Sequence, residues 1–137
     1  AAHGDIFIPA GNGRTAFIDV RDIGAVAARV LSEPGHEGAG YRLTGSESLS
    51  YAEVAAIMSA ELGRPITYSD PSPLAFARRL RRRGYARGHI GVMQAIYLTT
   101  RLGMAAAVHP DAAALLGRPP LTLRQYVRDY APAFAPA

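Results

Sequence analysis

Apolar residues recur at helical spacing in six segments of the chain, and these segments carry recognisable start and stop signals. The first begins at Asp19, whose carboxylate can accept a hydrogen bond from a free N–H group of the first turn. Asp22 follows at a position where negative charge favours a helix start. Pro34-Gly35 ends this helix. Its predicted buried face consists of Ile23, Val26, Ala27, Val30 and Leu31.

Capping boxes mark the start of two other helices. In each, a hydroxyl and an acidic or amide side chain three residues later satisfy free N–H groups of the first turn. Ser50 and Glu53 open the second helix, which Gly63 ends, and Thr122 and Gln125 open the last one, which runs to about residue 130. The remaining three helices are predicted over about 72–83, 88–101 and 110–117.

Short apolar, β-prone runs lie between the helices, and the turn residues Gly11-Asn12-Gly13 join the first two as a hairpin or a bent connection. Strands and helices alternate from residue 16 to residue 68, which is typical of an α/β fold. The predicted fold class is therefore α/β, with short strands and helices to about residue 68 and a helical segment from Ser72. The predicted strands are Asp5–Ile8, Ala16–Ile18, Tyr41–Thr44 and Ile66–Tyr68.

Length and composition fit one folded domain over residues 1–137. Hydrophobic residues make up 49% of the 137 positions and charged residues 19%, a balance typical of globular proteins. The absence of cysteine excludes a disulfide framework, a thiolate zinc site and a thiol nucleophile. No apolar stretch approaches the roughly 20 residues of a membrane span, and no signal peptide is recognisable. A cytoplasmic location and no membrane partner are therefore expected.

The sequence motifs of common cofactor and metal sites are missing. No Gly-x-Gly-x-x-Gly follows a predicted strand, and a phosphate loop would need a lysine, of which the chain has none. The four histidines, at positions 3, 36, 89 and 109, are far apart in the sequence. We therefore predict no metal site and no cofactor-binding residue in this chain, and the residues alone identify no catalytic group.

Positive charge is concentrated in one short segment. Six of the ten residues from Arg78 to Arg87 are arginines, and no acidic residue occurs between Asp70 and Asp111. Such a run is typical of a solvated helix surface, but it would also suit nucleic acid, the phosphate of NADP or an acidic partner. Only Tyr85 interleaves with the arginines, and Arg81, Arg82 and Arg83 point to different sides of a helix, which argues against nucleic acid as the partner.

Three segments in a fixed order carry a family resemblance. They are Ala16-Phe17-Ile18-Asp19-Val20-Arg21-Asp22-Ile23; Pro34-Gly35-His36-Glu37-Gly38 with Tyr41-Arg42-Leu43-Thr44-Gly45 and Leu49-Ser50-Tyr51-Ala52-Glu53-Val54-Ala55; and Leu116-Gly117-Arg118-Pro119-Pro120. Together they resemble the C-terminal half of NmrA-like proteins, an atypical branch of the short-chain dehydrogenase/reductase superfamily. The resemblance extends from about Ile6 to about Tyr130. Ala39 departs from it, since relatives often carry lysine there.

The resemblance implies a longer protein in which the N-terminal and C-terminal halves have different roles. The N-terminal half of a relative carries the Gly-rich cofactor loop and most of a Rossmann-like parallel sheet. A chain that begins at Ala1 is then expected to be a fragment of an NAD(P)H-dependent reductase or NAD(P)-binding protein, contributing walls of the substrate pocket. NAD(P)H would be the cofactor of the intact relative, with none expected for this chain alone. The alternatives are a redox-sensor remnant or protein-interaction module and, less favoured, a nucleic-acid-binding domain using Arg78–Arg87.

Four residues are candidates for binding a small aromatic or quinone-like substrate. Phe17 lies where the family returns the chain towards the nicotinamide, although core packing explains it equally well. His89, Met93 and Tyr97 share one helix face at i, i+4 and i+8, where ordinary core packing is the alternative. The expected partners are the missing N-terminal half or a second copy of the chain, with contacts near the strand regions Ile6–Ile18 and Tyr41–Thr44.

Overall fold

A computed structural model describes residues 4–135 of the chain. Its short strands and its helices follow one another as an α/β unit to residue 69 and as helices thereafter, as predicted. The elements are β1 (Asp5–Phe7), β2 (Arg14–Thr15), α1 (Val20–Ser32), β3 (Leu49–Ser50), α2 (Tyr51–Leu62), β4 (Thr67–Ser69), α3 (Pro73–Arg82), α4 (Arg87–Arg101), α5 (Asp111–Leu116), α6 (Leu123–Asp129) and a 3-10 turn over Ala131–Phe134.

The helix boundaries agree with the sequence signals. Asp19 caps α1 by accepting a hydrogen bond from the Arg21 N–H group, and both capping boxes form at the starts of α2 and α6. Gly63 ends α2 and Gly117 ends α5, both with positive φ, the conformation that glycine adopts at little cost. None of the helices in the described part of the chain is long and apolar enough to cross a membrane.

The strands form two small sheets, and of the two predicted alternatives for the first two strands, a hairpin or a bent connection, the pairing excludes the hairpin. β1 runs parallel to β4, with Ile6 opposite Tyr68, and β2 runs antiparallel to β3, with Arg14 opposite Ser50. β1 and β2 therefore do not pair with each other. The second strand was predicted over Ala16–Ile18, but it ends at Thr15, because pairing with the short β3 covers only two residues.

The prediction of a strand over Tyr41–Thr44 is wrong for this structure, which assigns no strand there. The segment is held by single hydrogen bonds instead of a backbone ladder. The Arg42 N–H group donates to a carboxylate oxygen of Asp111 at 2.7 Å, and the Thr44 hydroxyl exchanges hydrogen bonds with the backbone of His109. Polar contacts to the segment before α5 thus replace the sheet pairing that a strand would need.

Two apolar clusters hold the elements together. The first joins β3, α2, the residue before β4 and α6 through six buried residues: Leu49, Val54, Ala55, Met58, Ile66 and Val127. The second lies between α3 and α4, where Phe76, Leu80 and Ile90 are buried. These clusters bury the apolar faces of α2, α3 and α6, and they fix the positions of the aromatic residues described below.

The predicted buried face of α1 is only partly buried. Val26 is in the interior, but Ile23 is 40% exposed and Leu31 is 87% exposed. The face that enters the protein instead carries Asp22, whose carboxylate accepts hydrogen bonds from Arg118 and from the Leu121 N–H group. A polar contact therefore orients α1 where the apolar periodicity predicted packing alone.

Candidate functional site

Three aromatic rings surround the ring of Tyr51, the first residue of α2. The rings of Tyr51 and Phe17 stand edge to face with centroids 5.6 Å apart, and those of Tyr51 and Tyr97 stand edge to face at 6.5 Å. The Tyr68 ring lies on another side at 5.9 Å, tilted by 30°. Such distances and angles are within the range of favourable aromatic pairs. We call Phe17, Tyr51, Tyr68 and Tyr97 the aromatic cluster.

Local structure explains how each ring reaches the cluster. Tyr51 follows directly on β3 and is fixed by the capping box at Ser50. Phe17 comes two residues after β2, the strand that pairs with β3, so the two rings are carried by one small sheet. Tyr97 comes from the α3–α4 pair, where its ring also stands edge to face with Phe76 at 5.6 Å. The cluster therefore connects the two apolar cores.

Gly45 packs directly against the backbone beside Phe17. A Cβ atom at this position would stand 1.8 Å from the Phe17 carbonyl oxygen, far inside van der Waals contact. The position therefore requires glycine because of the close approach of two backbones, and not because of a positive φ. This approach fixes the course of the chain at the edge of the aromatic cluster.

A mostly apolar groove of about 290 Å³ opens beside Phe17. It lies between the start of α1 and the start of α6, and Tyr126 and Leu123 form part of its far wall. Asp19 is the one carboxylate among the described residues that line it. Hydrogen bonds from Arg21 hold the pKa of Asp19 below its usual range, so this carboxylate is ionised at neutral pH.

The tyrosines of the cluster are neutral at physiological pH. Burial raises the pKa of Tyr51, of Tyr68 and of Tyr97 above the usual value for tyrosine. The Tyr68 hydroxyl is within hydrogen-bond distance of the backbone carbonyls of Ile8 and Gly11. Neutral phenols are hydrogen-bond donors, so the cluster offers flat apolar faces together with polar hydroxyl groups.

The structure brings together two of the four substrate-site residues predicted from the sequence. Phe17 lines the groove and joins the aromatic cluster, and Tyr97 reaches the same cluster from α4. Met93 packs in the α3–α4 core beside Tyr97. His89 is exposed at the start of α4 and stacks on Tyr85, with ring centroids 5.3 Å apart. The shared helix face therefore continues from the cluster to the surface, and His89 lies at its outer end.

Tyr51 and Tyr68 are site candidates that the sequence did not single out. Tyr51 was recognised only as part of a capping box and Tyr68 only as part of a strand. Their juxtaposition depends on the pairing of β1 with β4 and of β2 with β3, contacts between residues far apart in the sequence. Within residues 4–135, no three side chains of the metal-ligating types His, Cys, Asp and Glu come together.

Comparison with known proteins places the chain beside reductases. It is 34% identical over 134 residues to NAD(P)H azoreductase of Xenophilus azovorans, covering 98% of this chain and 47% of that protein. It is 31% identical over 125 residues to quinone oxidoreductase 2 of Escherichia coli, covering 91% of this chain and 44% of that protein. No protein-family model matches the chain.

Solved structures show the same relationship. The structure of the Escherichia coli NADPH-dependent quinone oxidoreductase with NADPH matches with a TM-score of 0.85 and 31% identity, over 93% of this chain and 45% of that one. Triphenylmethane reductase of Citrobacter with NADP(H) matches with a TM-score of 0.83 and 26% identity, over 93% and 44%. The chain thus spans less than half the length of these relatives. Over nearly its whole length it is similar to the C-terminal half of NmrA-like, NAD(P)H-dependent reductases, as the ordered motifs predicted.

Proposed function

We propose that this chain forms the substrate-side domain, over residues 1–137, of an NAD(P)H-dependent reductase that acts on flat aromatic electrophiles such as quinones. The observation that carries the proposal is the aromatic cluster beside an open groove, in a chain whose relatives are named as azo, quinone and triphenylmethane reductases. Phe17 would form a wall of the pocket, and Tyr97 would contribute through its contact with Tyr51.

The cluster would act by positioning the substrate. Flat aromatic molecules pack favourably against aromatic rings, and the neutral phenols of Tyr51 and Tyr97 could donate hydrogen bonds to a carbonyl or azo group. Ordering an electrophile in this way lowers the entropic cost of the reaction. Asp19 is ionised at one side of the groove but paired with Arg21 at 2.7 Å, so the pair would contribute little net charge to substrate selection.

The dinucleotide is proposed to bind outside this chain. A bound NAD(P)H supplies hydride to an electrophile, but the residues of this chain do not fit the phosphate-binding part of such a site. The sequence has no Gly-x-Gly-x-x-Gly turn and no lysine, and the described glycine-rich turn at Gly11-Asn12-Gly13 leads into strand β2 and not into a helix. Calorimetric titration of the isolated chain with NADPH should show weak binding or none, and low-micromolar affinity would contradict this.

The partner that completes the site is proposed to be the N-terminal half found in relatives or a second copy of the chain. The exposed apolar side chains of Ile23 and Leu31 on α1 and of Val92 and Ile96 on α4 support a covering partner, because a folded domain rarely leaves such faces open. The native polypeptide can be captured from its source with an antibody against this chain and its intact mass measured. A native form that oxidises NADPH in the presence of menadione would support the reductase proposal, and a complete native form without this activity would reject it.

Aromatic binding can be tested on the isolated chain. The chain has seven tyrosines and no tryptophan, and three of the tyrosines belong to the cluster, so tyrosine fluorescence includes a contribution from the cluster that a bound quinone can quench. Menadione should quench it saturably, and Tyr97→Leu and Phe17→Leu should each weaken binding by about tenfold, a loss of about 1.4 kcal/mol. Tyr41→Leu is the matched control, because the Tyr41 ring pairs with His36 and belongs neither to the cluster nor to the lining of the groove. Equal weakening in all three variants would show that the binding is not located at the cluster.

A further inference from the structure

The outer face of α3 combines free positive charge with an exposed leucine. Arg78, Arg81 and Arg82 follow Leu74 at i+4, i+7 and i+8, the spacing of one helix face. Leu74 is 71% exposed, and it lines the same shallow surface hollow as the three arginines. Arg83, which the sequence predicted to point away from Arg81 and Arg82, does not line this hollow.

The arginine that turns inward is already neutralised. Arg79 pairs with Asp5 at 3.2 Å, and its guanidinium lies 4.1 Å from the centroid of the Phe7 ring. The other arginines of the run, including Arg83 and Arg87, have no acidic partner within residues 4–135. No acidic residue occurs from residue 71 to residue 110, and Arg79 and Arg101 are the arginines of α3 and α4 that pair with acids from elsewhere in the described chain, so the remaining arginines keep an uncompensated positive charge.

Exposed leucines lie at the C-terminal end of α4, and one of them is on the side of that helix that faces the start of α3. The Gln94 side chain donates to the Pro73 carbonyl at 2.7 Å, which sets the middle of α4 beside the start of α3. Leu98 follows Gln94 at i+4 on the same side of α4, Leu102 stands at the C-cap just after the helix, and both are exposed. Leucines therefore lie towards the start of α3, and arginines lie towards the turn between the helices.

We propose that this surface, comprising Leu74, Arg78, Arg81, Arg82, Leu98 and Leu102, binds peripherally to anionic lipid bilayers. Clustered arginines on a helix are attracted to anionic headgroups, and exposed leucines beside them can enter the interfacial region. A lipid bilayer can contact both the arginines and the leucines. Nucleic acid would contact the arginines only and would leave the three leucine side chains exposed. The nearest exposed aromatic residue, Tyr85, is already stacked on His89. This differs from the expectation that the chain has no membrane partner, and it does not depend on the reductase activity.

Vesicle co-sedimentation of the full 137-residue chain tests the proposal. The chain should sediment with vesicles of phosphatidylcholine containing a quarter of phosphatidylglycerol, and binding to pure phosphatidylcholine should be at least tenfold weaker. Added salt should reduce binding to the anionic vesicles, because exposed charges are screened. Binding that is equal for the two vesicle types, or absent from both, would overturn the proposal.

Variants locate the surface and separate its two components. Arg78→Gln and Arg81→Gln should each weaken binding by about fivefold, which corresponds to about 1 kcal/mol per arginine near an anionic surface. Arg42→Gln removes the same charge from an exposed arginine outside the two helices and should change binding less than twofold. Leu74→Asn should weaken binding at low and at high salt alike. If Leu74→Asn has no effect while an oligonucleotide competes at equal phosphate concentration, the surface is a nucleic-acid site and the membrane proposal is wrong.

Discussion

The carboxylate of Asp22 is fully buried and accepts a hydrogen bond of 2.6 Å from the guanidinium of Arg118, which stands 96 residues later in the chain. Its second oxygen accepts a hydrogen bond of 2.6 Å from the Leu121 N–H group. The contact thus ties α1 to the segment that precedes α6. A buried carboxylate requires such partners, because its desolvation is otherwise very costly.

Removing either side of this contact should destabilise the protein. Arg118→Ala leaves a buried charge with one hydrogen bond fewer, and we expect the free energy of unfolding to fall by about 2 kcal/mol, since the arginine itself is half exposed. Asp22→Asn should lower the free energy of unfolding by a similar amount. Its amide nitrogen is a hydrogen-bond donor and would face another donor, either the Leu121 N–H group or the Arg118 guanidinium. Urea denaturation measures both variants. Arg42→Ala is the matched control and should change the free energy of unfolding by less than about 0.5 kcal/mol.

Local signals were sufficient to predict the helices. Caps at Asp19, Ser50 and Thr122 and glycine stops at Gly63 and Gly117 act within a few residues of each helix end, so the sequence displays them directly. The inward face of α1 could not be found in this way. Its central contact is a charged pair between distant segments, and no periodicity of apolar residues contains that information.

The strand positions and the residues of the candidate site could be predicted from the sequence only in part. Strands of two or three residues form only where a partner strand pairs with them, and the sequence does not show the partner. The second strand was therefore predicted two residues too late. A strand was also predicted over Tyr41–Thr44, where the structure has hydrogen bonds to Asp111 and His109 instead. Phe17 and Tyr97 were named from motif position and helix spacing. The residue that joins them, Tyr51, becomes visible only when β2 pairs with β3.

Gly45→Ala should strongly destabilise the protein. The added Cβ would overlap the Phe17 carbonyl oxygen, which is backbone and cannot rotate away, so we expect a loss of about 3 kcal/mol or more. Gly24→Ala is the matched control because Gly24 lies within α1 with nothing within 4 Å of an added Cβ. That change should stabilise the protein by about 0.5 to 1 kcal/mol. Equal thermal stability of the two variants would show that the backbones at Gly45 and Phe17 do not approach as described.

Alkaline pH should weaken the fold through the aromatic cluster. Burial raises the folded-state pKa of Tyr51, Tyr68 and Tyr97, so the unfolded chain loses these protons first as the pH rises. The free energy of unfolding is therefore unaffected well below pH 10, the ordinary pKa, and falls as the pH rises above it. The near-ultraviolet absorbance of phenolate should show a late-titrating group of tyrosines in the folded protein. This group should disappear in urea, and Tyr97→Phe should reduce its amplitude.

The isolated chain should self-associate through its exposed apolar helix faces. Val92 and Ile96 on α4 are 61% and 56% exposed, and Leu31 on α1 is exposed as well. The sequence predicted contacts at strand edges, but Tyr41–Thr44 forms no strand, so the helices now offer the larger apolar surface. Burial of apolar area drives such association, whereas arginines at both ends of α4 repel their counterparts in a second copy.

Salt should therefore strengthen self-association, opposite to its effect on vesicle binding, because it screens the repulsion between arginines and leaves the apolar contact intact. Light scattering at micromolar concentration should give a mass above the 14.5 kDa of one chain, rising with salt. Ile96→Glu should shift the equilibrium towards the monomer, since a carboxylate cannot be buried in an apolar contact without cost. Ala52→Glu, on the exposed side of α2, should not. A monomer at all salt concentrations would show that the faces of α1 and α4 do not bind a second copy, which leaves the N-terminal half found in relatives as their proposed partner.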